Sequence, residues 1–203
     1  MKKIIFYTVL LFLTSQAFGQ CKAIELKIDT EIIEELTNAE VESLKYLREE
    51  EFLAGDVYDY LSEIYSLPMF KNIGRSEDVH TEKVRELLEA YQIDDPAKNH
   101  KAGVYKNKDL QKHYNDLVAL GERSLNDAIV VGLTIEEMDI HDLNEALKNV
   151  IKENNIKVVY EFLLMGSHHH LKAFNFQAER LGVNYSPQFL SEKEFKAALE
   201  KEN

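Results

Sequence analysis

Leu125-Asn126-Asp127-Ala128-Ile129-Val130-Val131-Gly132-Leu133-Thr134-Ile135-Glu136-Glu137-Met138-Asp139-Ile140-His141-Asp142-Leu143 reads as a long amphipathic helix with an acid where a leucine belongs. At about 100° per residue, Leu125, Ile129, Gly132, Leu133, Ile140, Leu143 and Leu147 fall within roughly 60° of one direction. Glu136 lies in the middle of that stripe, and Asp139, three residues on, at its edge. A carboxylate buried alone costs several kcal/mol or takes up a proton. The stretch therefore predicts an interior with partners for its acids.

Three more helical patterns pose the same question. After the capping box Thr37-Asn38-Ala39-Glu40, the first runs to about Tyr65. Its face holds Leu44, Leu47, Ala54, Tyr58 and Tyr65. Glu51 lies about 40° from the centre of that face and Glu50 about as close on the other side, so periodicity does not choose between them. The second, about Phe70 to Tyr91, has Glu77 central among Phe70, Ile73, Val84 and Leu88, with His80 at the edge. The last, about Ile156 to Leu181, carries His170 on its stripe, while His168 and His169 point away. Glu49-Glu50 reads as a solvated edge, and His100, His113 and His141 as solvent-exposed.

Four helices thus aim acids or imidazoles at one interior. Two divalent cations would cancel four negative charges, and mixed oxygen and imidazole donors suit iron or manganese. Glu-x-x-His works as a ligand pair because side chains at i and i+3 reach one point beside a helix. The turns near Leu67-Pro68 and Glu153-Asn154-Asn155 are short. The connection between the two hairpins is long and holds a short helix, Leu110 to Leu120. That layout predicts an all-α four-helix bundle of two antiparallel hairpins joined by a crossover.

These residues resemble the ferritin-like superfamily, and within it the rubrerythrin-type di-iron bundles. Glu77-Asp78-Val79-His80 looks like the second-helix motif, and Glu51 with Tyr58 seven residues later like the first-helix ligand and its companion tyrosine. Glu136-x-x-Asp139 is similar to the paired acids of the third helix. Phrases such as Glu49-Glu50-Glu51-Phe52-Leu53-Ala54-Gly55-Asp56-Val57-Tyr58 look closest to one branch of these proteins, the domain-of-unknown-function family DUF2202. The resemblance covers about Asn38 to Leu181. It implies metal ligands at Glu51, Glu77, His80, Glu136, Asp139 and His170, two iron ions (manganese possible), and an oxidoreductase acting on Fe²⁺, peroxide or oxygen. Tyr58 would be its catalytic companion, and a homodimer is among the assemblies it admits. Asp139 has a second reading, as an acceptor that orients His80 or His170. Ser167 departs from the pattern, standing where the last motif usually has Glu. Other readings are a metal-holding module without turnover and a metal-free scaffold for protein partners.

The chain has 203 residues, 36 acidic against 24 basic, for a net charge of −12. That balance argues against nucleic acid as a partner. A hydrophobic share of 45% is enough for a real core, and 3 Pro with 8 Gly leave long helices unbroken. One cysteine excludes a disulfide framework and a four-cysteine rubredoxin-like iron site. Lys2-Lys3, the apolar run Ile4 to Leu13 and Ala17-Phe18-Gly19 form a signal-peptide pattern. The expected organisation is a signal over 1–19, a polar lead-in over 20–37, the bundle over 38–182 and a tail with a short helix over 183–203. The protein is then exported, periplasmic or extracellular; lipidation at Cys21 is disfavoured by Gln20 before it. No later run is long and apolar enough to span a bilayer.

Overall fold

The computed structural model describes residues 35–201; the signal pattern and Cys21 lie outside them. Among the described residues six α-helices follow one another: α1 (Asn38–Ile64), α2 (Pro68–Ala90), α3 (Lys108–Gly121), α4 (Leu125–Asn149), α5 (Asn154–Leu181) and α6 (Glu192–Glu200). No strand occurs among the described residues; Lys101 and Val104 make one isolated bridge. The fold is all-α, as the apolar periodicity requires.

Five of the six helices begin where a side chain satisfies free N–H groups of the first turn. Thr37 and Glu40 form the capping box of α1, and Ser191 and Glu194 that of α6. Asn107, Ser124 and Glu153 cap α3, α4 and α5. Pro68 opens α2 at a position where its missing N–H costs nothing. Gly182 ends α5 in the left-handed conformation, φ 67°.

The loops of residues 65–67 and 150–153 are too short to let their helices do anything but pack antiparallel. Cross-bundle contacts fix the rest. Tyr46 reaches Asp142 and Tyr58 reaches Glu136, so α1 and α4 are antiparallel neighbours. Ser43 meets Tyr160 and Tyr58 stacks on Phe174, so α1 and α5 run parallel. The crossover leaves beside Tyr91, bonded to Asn155 at one end of the bundle. It arrives at Gly121, whose carbonyl accepts from Tyr65 at the other end. It therefore travels the length of the bundle, with α3 packed on α1 and α4. The core includes Leu44, Leu53, Tyr58, Phe70, Leu88, Ile129, Leu133, Leu163 and Phe174, all essentially inaccessible. Gly132 has a packing reason: a Cβ there would lie 2.2 Å from the Phe174 ring.

Two expectations about exposure are overturned. Glu49 and Glu50 are buried, not a solvated edge. Glu49 turns to the crossover and accepts the N–H groups of Lys106 and Asn107, while Glu50 turns inward. His100 is not solvent-exposed either: it pairs with Asp56 at 2.8 Å and stacks on Phe52. His113 and His141 are half-buried. His168 does point away from the centre, but α6 and its C-terminal Lys201 cover it. Burial and the charges of Lys201 and Lys172 push its pKa down to about 4, so it stays neutral.

Candidate metal centre

Glu51, Glu77, His80, Glu136, Asp139 and His170 come from α1, α2, α4 and α5 and meet inside the bundle. All are buried; His170, at 9%, is the most accessible. Five of them form two triads of potential ligands, Glu51–Glu77–His80 and Glu77–Glu136–His170; within each triad the ligand atoms lie within 4.8 Å of one another. Glu77 belongs to both. Its Oε2 lies 2.6 Å from His80 Nδ1 and its Oε1 2.8 Å from His170 Nδ1. His80 Nδ1 is also 3.1 Å from Glu51 Oε2, and His170 Nδ1 3.3 Å from Glu136 Oε2.

The donor set fits two divalent cations. Both oxygens of Glu77, Glu51 Oε1, Glu136 Oε2, Asp139 Oδ1 and His170 Nδ1 are buried without a hydrogen-bond partner. Native interiors rarely leave such atoms unsatisfied. The Glu77 oxygens and the facing ring nitrogens approach closely yet lack hydrogen-bond geometry. Atoms so placed point at a common space rather than at each other. Their separations match those of neighbouring ligands around a small divalent ion with bonds of about 2.1 Å.

The electrostatics carry the same signature. Burial pushes the Glu51 carboxyl up and the His80 charge pulls it down, leaving it at about 7. Burial also raises Glu136, against the pull of His170. Asp139 is driven well above the carboxylate range by burial and by Glu50, Glu51, Glu136 and Glu77. Glu77 is the exception: burial is outweighed by His80 and His170, which hold it well below the usual range. The imidazoles respond in kind. Burial opposes the charge of His170, but Glu77 and Glu136 raise it to about 10; Glu77 and Glu51 raise His80 well above its ordinary value. Without cations, then, the cluster holds protons on groups that must shed them to become ligands.

Neighbouring residues shape the site. The Tyr58 hydroxyl donates to Glu136 Oε1 and fixes one carboxylate oxygen while leaving the other free. Ser167 is buried, but its Oγ donates to the Leu163 carbonyl of its own helix at 3.2 Å, so it brings no charge to the centre. Asp139 lies in neither triad, and it accepts no hydrogen bond from His80 or His170, which face Glu51, Glu77 and Glu136. Of the two first-helix acids, Glu51 joins a triad and Glu50 does not, though Glu50 is fully buried. Sequence reasoning missed Gly166. A Cβ there would lie 2.5 Å from His80 Nε2, so glycine lets the imidazole pack against α5. A glycine inside a long helix, next to a motif position, was the available signal.

Residues 40–202 match the family described as an uncharacterised protein domain, DUF2202. The chain belongs to the DUF2202 family. Among its relatives, the uncharacterised protein MJ0754 of Methanocaldococcus jannaschii is 42% identical over 164 residues, 81% of this chain and 88% of that one. The crystal structure of the hypothetical protein MJ0754 from Methanococcus jannaschii superposes with a TM-score of 0.81 at 40% identity, covering 84% of this chain and 97% of that one. The DUF2202 match begins at the cap of α1 and takes in α6, so it covers all four helices that build the centre. Among the described residues, no helix of this DUF2202 chain is long and apolar enough to cross a membrane.

Proposed function

We propose that this DUF2202 bundle is an exported, ferritin-like two-metal carboxylate protein, an oxidoreductase acting on Fe²⁺, peroxide or oxygen. The observation that carries the reading is Glu77, fully buried with each oxygen turned to a different histidine. Glu51 and His80 would hold one ion, Glu136 and His170 the other, with Glu77 between them and Asp139 alongside. When bound, a pair of iron or manganese ions supplies Lewis acidity and a change of oxidation state. The chain's own work is positional. Tyr58 holds Glu136 in one orientation, the helices exclude bulk water, and the histidines and Glu51 release protons as ions bind. Export rests on the Lys2–Gly19 pattern.

The test is elemental analysis of untagged protein followed by anaerobic Fe²⁺ titration and admission of air or peroxide. About two ions per chain, with Fe²⁺ oxidation that Glu77→Ala abolishes, is the expected result. A stable protein that binds no metal would overturn the reading. One observation favours a second reading, a metal-holding module without turnover. Ser167 leaves the second triad one carboxylate short of the usual pattern, and its hydroxyl is turned to Leu163. Stoichiometric binding with no oxidation would select it.

A further inference from the structure

The two triads do not account for Glu50. This residue is fully buried, and neither of its oxygens accepts a hydrogen bond. Tyr46 lies one turn before Glu50 on α1 and donates to Asp142 on α4, and Asp139 lies one turn before Asp142, so the antiparallel register sets Glu50 beside the Asp139–Asp142 face of α4. Asp139 is next inward, fully buried and one turn along α4 from Glu136. Asp139 Oδ1 likewise has no partner. Asp142 is next outward, with its side chain 30% exposed. Its Oδ2 accepts from the Tyr46 hydroxyl at 3.1 Å, and His141 Nδ1 lies 2.8 Å from its Oδ1. Asp142, Glu50 and Asp139 therefore run from solvent to the metal centre between α1 and α4.

We infer that Asp142, Glu50 and Asp139 form an inward path for divalent cations, by which an ion sheds its water in stages on the way to the buried triads. The inference rests on the two-metal reading. A centre this buried needs a path, and a line of acids focuses cations and replaces their hydration oxygens. Among the described residues, three ligand atoms come within 4.8 Å of one another only in the two triads around Glu77. The path acids are thus successive handholds, not a closed third site. Tyr46 keeps Asp142 turned toward the seam between α1 and α4 rather than free in solvent.

The experiment is stopped-flow mixing of the metal-free full chain with Co²⁺, whose visible bands report arrival at a nitrogen- and oxygen-ligated site. Variants are Asp142→Asn, which is partly exposed and tolerant, and Glu50→Gln. Glu145→Gln is the control, an exposed acid on the same helix but off the path. The expected result is uptake slowed about tenfold or more in both path variants, normal in the control, with an unchanged number of ions bound at equilibrium. Wild-type rates in both path variants would overturn the path. So would equal slowing in the control, which would mean general surface attraction. Loss of a bound ion in Glu50→Gln would overturn it too, making Glu50 a ligand of the centre. If the wild type bound no Co²⁺ at all, the two-metal reading itself would fall, an outcome distinct from slow filling.

Discussion

Two sets of acids are hidden from solvent in this bundle and behave in opposite ways. Glu40, Glu49 and Glu137 are tethers. Glu137 accepts the N–H groups of Gln188, Phe189 and Leu190 and the hydroxyl of Tyr185. Glu49 holds Lys106 and Asn107, and Glu40 holds Thr37, Lys152 and Glu153. Glu50, Glu51, Glu77, Glu136 and Asp139 have oxygens that no hydrogen-bond donor serves. Burial alone therefore says nothing of an acid's purpose; the donors around it do. A carboxylate served by backbone N–H groups is part of the scaffold. A group of carboxylates left unserved, with imidazoles among them, is shaped for cations.

The sharpest way to break this contrast is to exchange the predicted consequences. Glu77→Ala removes the residue common to both triads, so it should weaken binding of both ions by roughly 100-fold or more. Equilibrium titration checks this, and a loss confined to one ion would show that the triads are independent. Glu137→Ala should do the reverse, leaving metal stoichiometry intact while costing about 3 kcal/mol by stranding the buried donors of residues 185–190. Thermal unfolding, with proteolysis of the tail as a second readout, checks it.

The pH dependence of the metal-free protein should set Glu51 and His170 against Glu40 in sign. Glu51 is raised in the folded state to about 7, from about 4.5. Below the lower value it is protonated whether folded or not. As pH rises through that window the unfolded chain loses its proton first, so stability falls. His170, raised to about 10, adds a further fall as pH climbs from 6.5 toward that value. Glu40, lowered to about 2 by backbone donors that outweigh burial, stabilises above 4.5 and is lost as pH drops toward 2. Metal-free protein should therefore lose melting temperature on both sides of a mildly acid optimum, and saturating metal should abolish the alkaline decline alone. Tyr58→Phe should have the smallest effect. It should cost about 1 kcal/mol of stability through its lost hydrogen bond to Glu136, and about tenfold in metal affinity.

The helices were legible because local chemistry sets them. Thr37-x-x-Glu40 and Ser191-x-x-Glu194 announce their own caps, and the 3.6-residue period places Glu136, Glu77 and His170 inward. The burial of the six proposed ligands was readable for the same reason: each lies on or near an apolar stripe. Glu49 and Glu137 were not readable as tethers, because their partners are N–H groups of irregular segments far along the chain. No periodicity encodes such a meeting. Glu50 fell between the cases. It lies as far from the centre of the α1 stripe as Glu51 does, on the other side, and only the packing of α1 against α4 and α2 turns one toward Asp142 and the other to His80. His168 was placed correctly with respect to the centre, but the helix that covers it arrives after a turn whose path the sequence does not specify.

Glu40 has a consequence for how the chain is assembled. One of its oxygens closes the first turn of α1, and the other gathers the N–H groups of Lys152 and Glu153, 112 and 113 residues later. The start of the first hairpin and the bend of the second are thus fastened by one side chain. On a chain emerging from the ribosome, that clasp stays open until another 113 residues have followed Glu40. The first hairpin must wait, half-fastened, for the second, so the bundle matures as one unit.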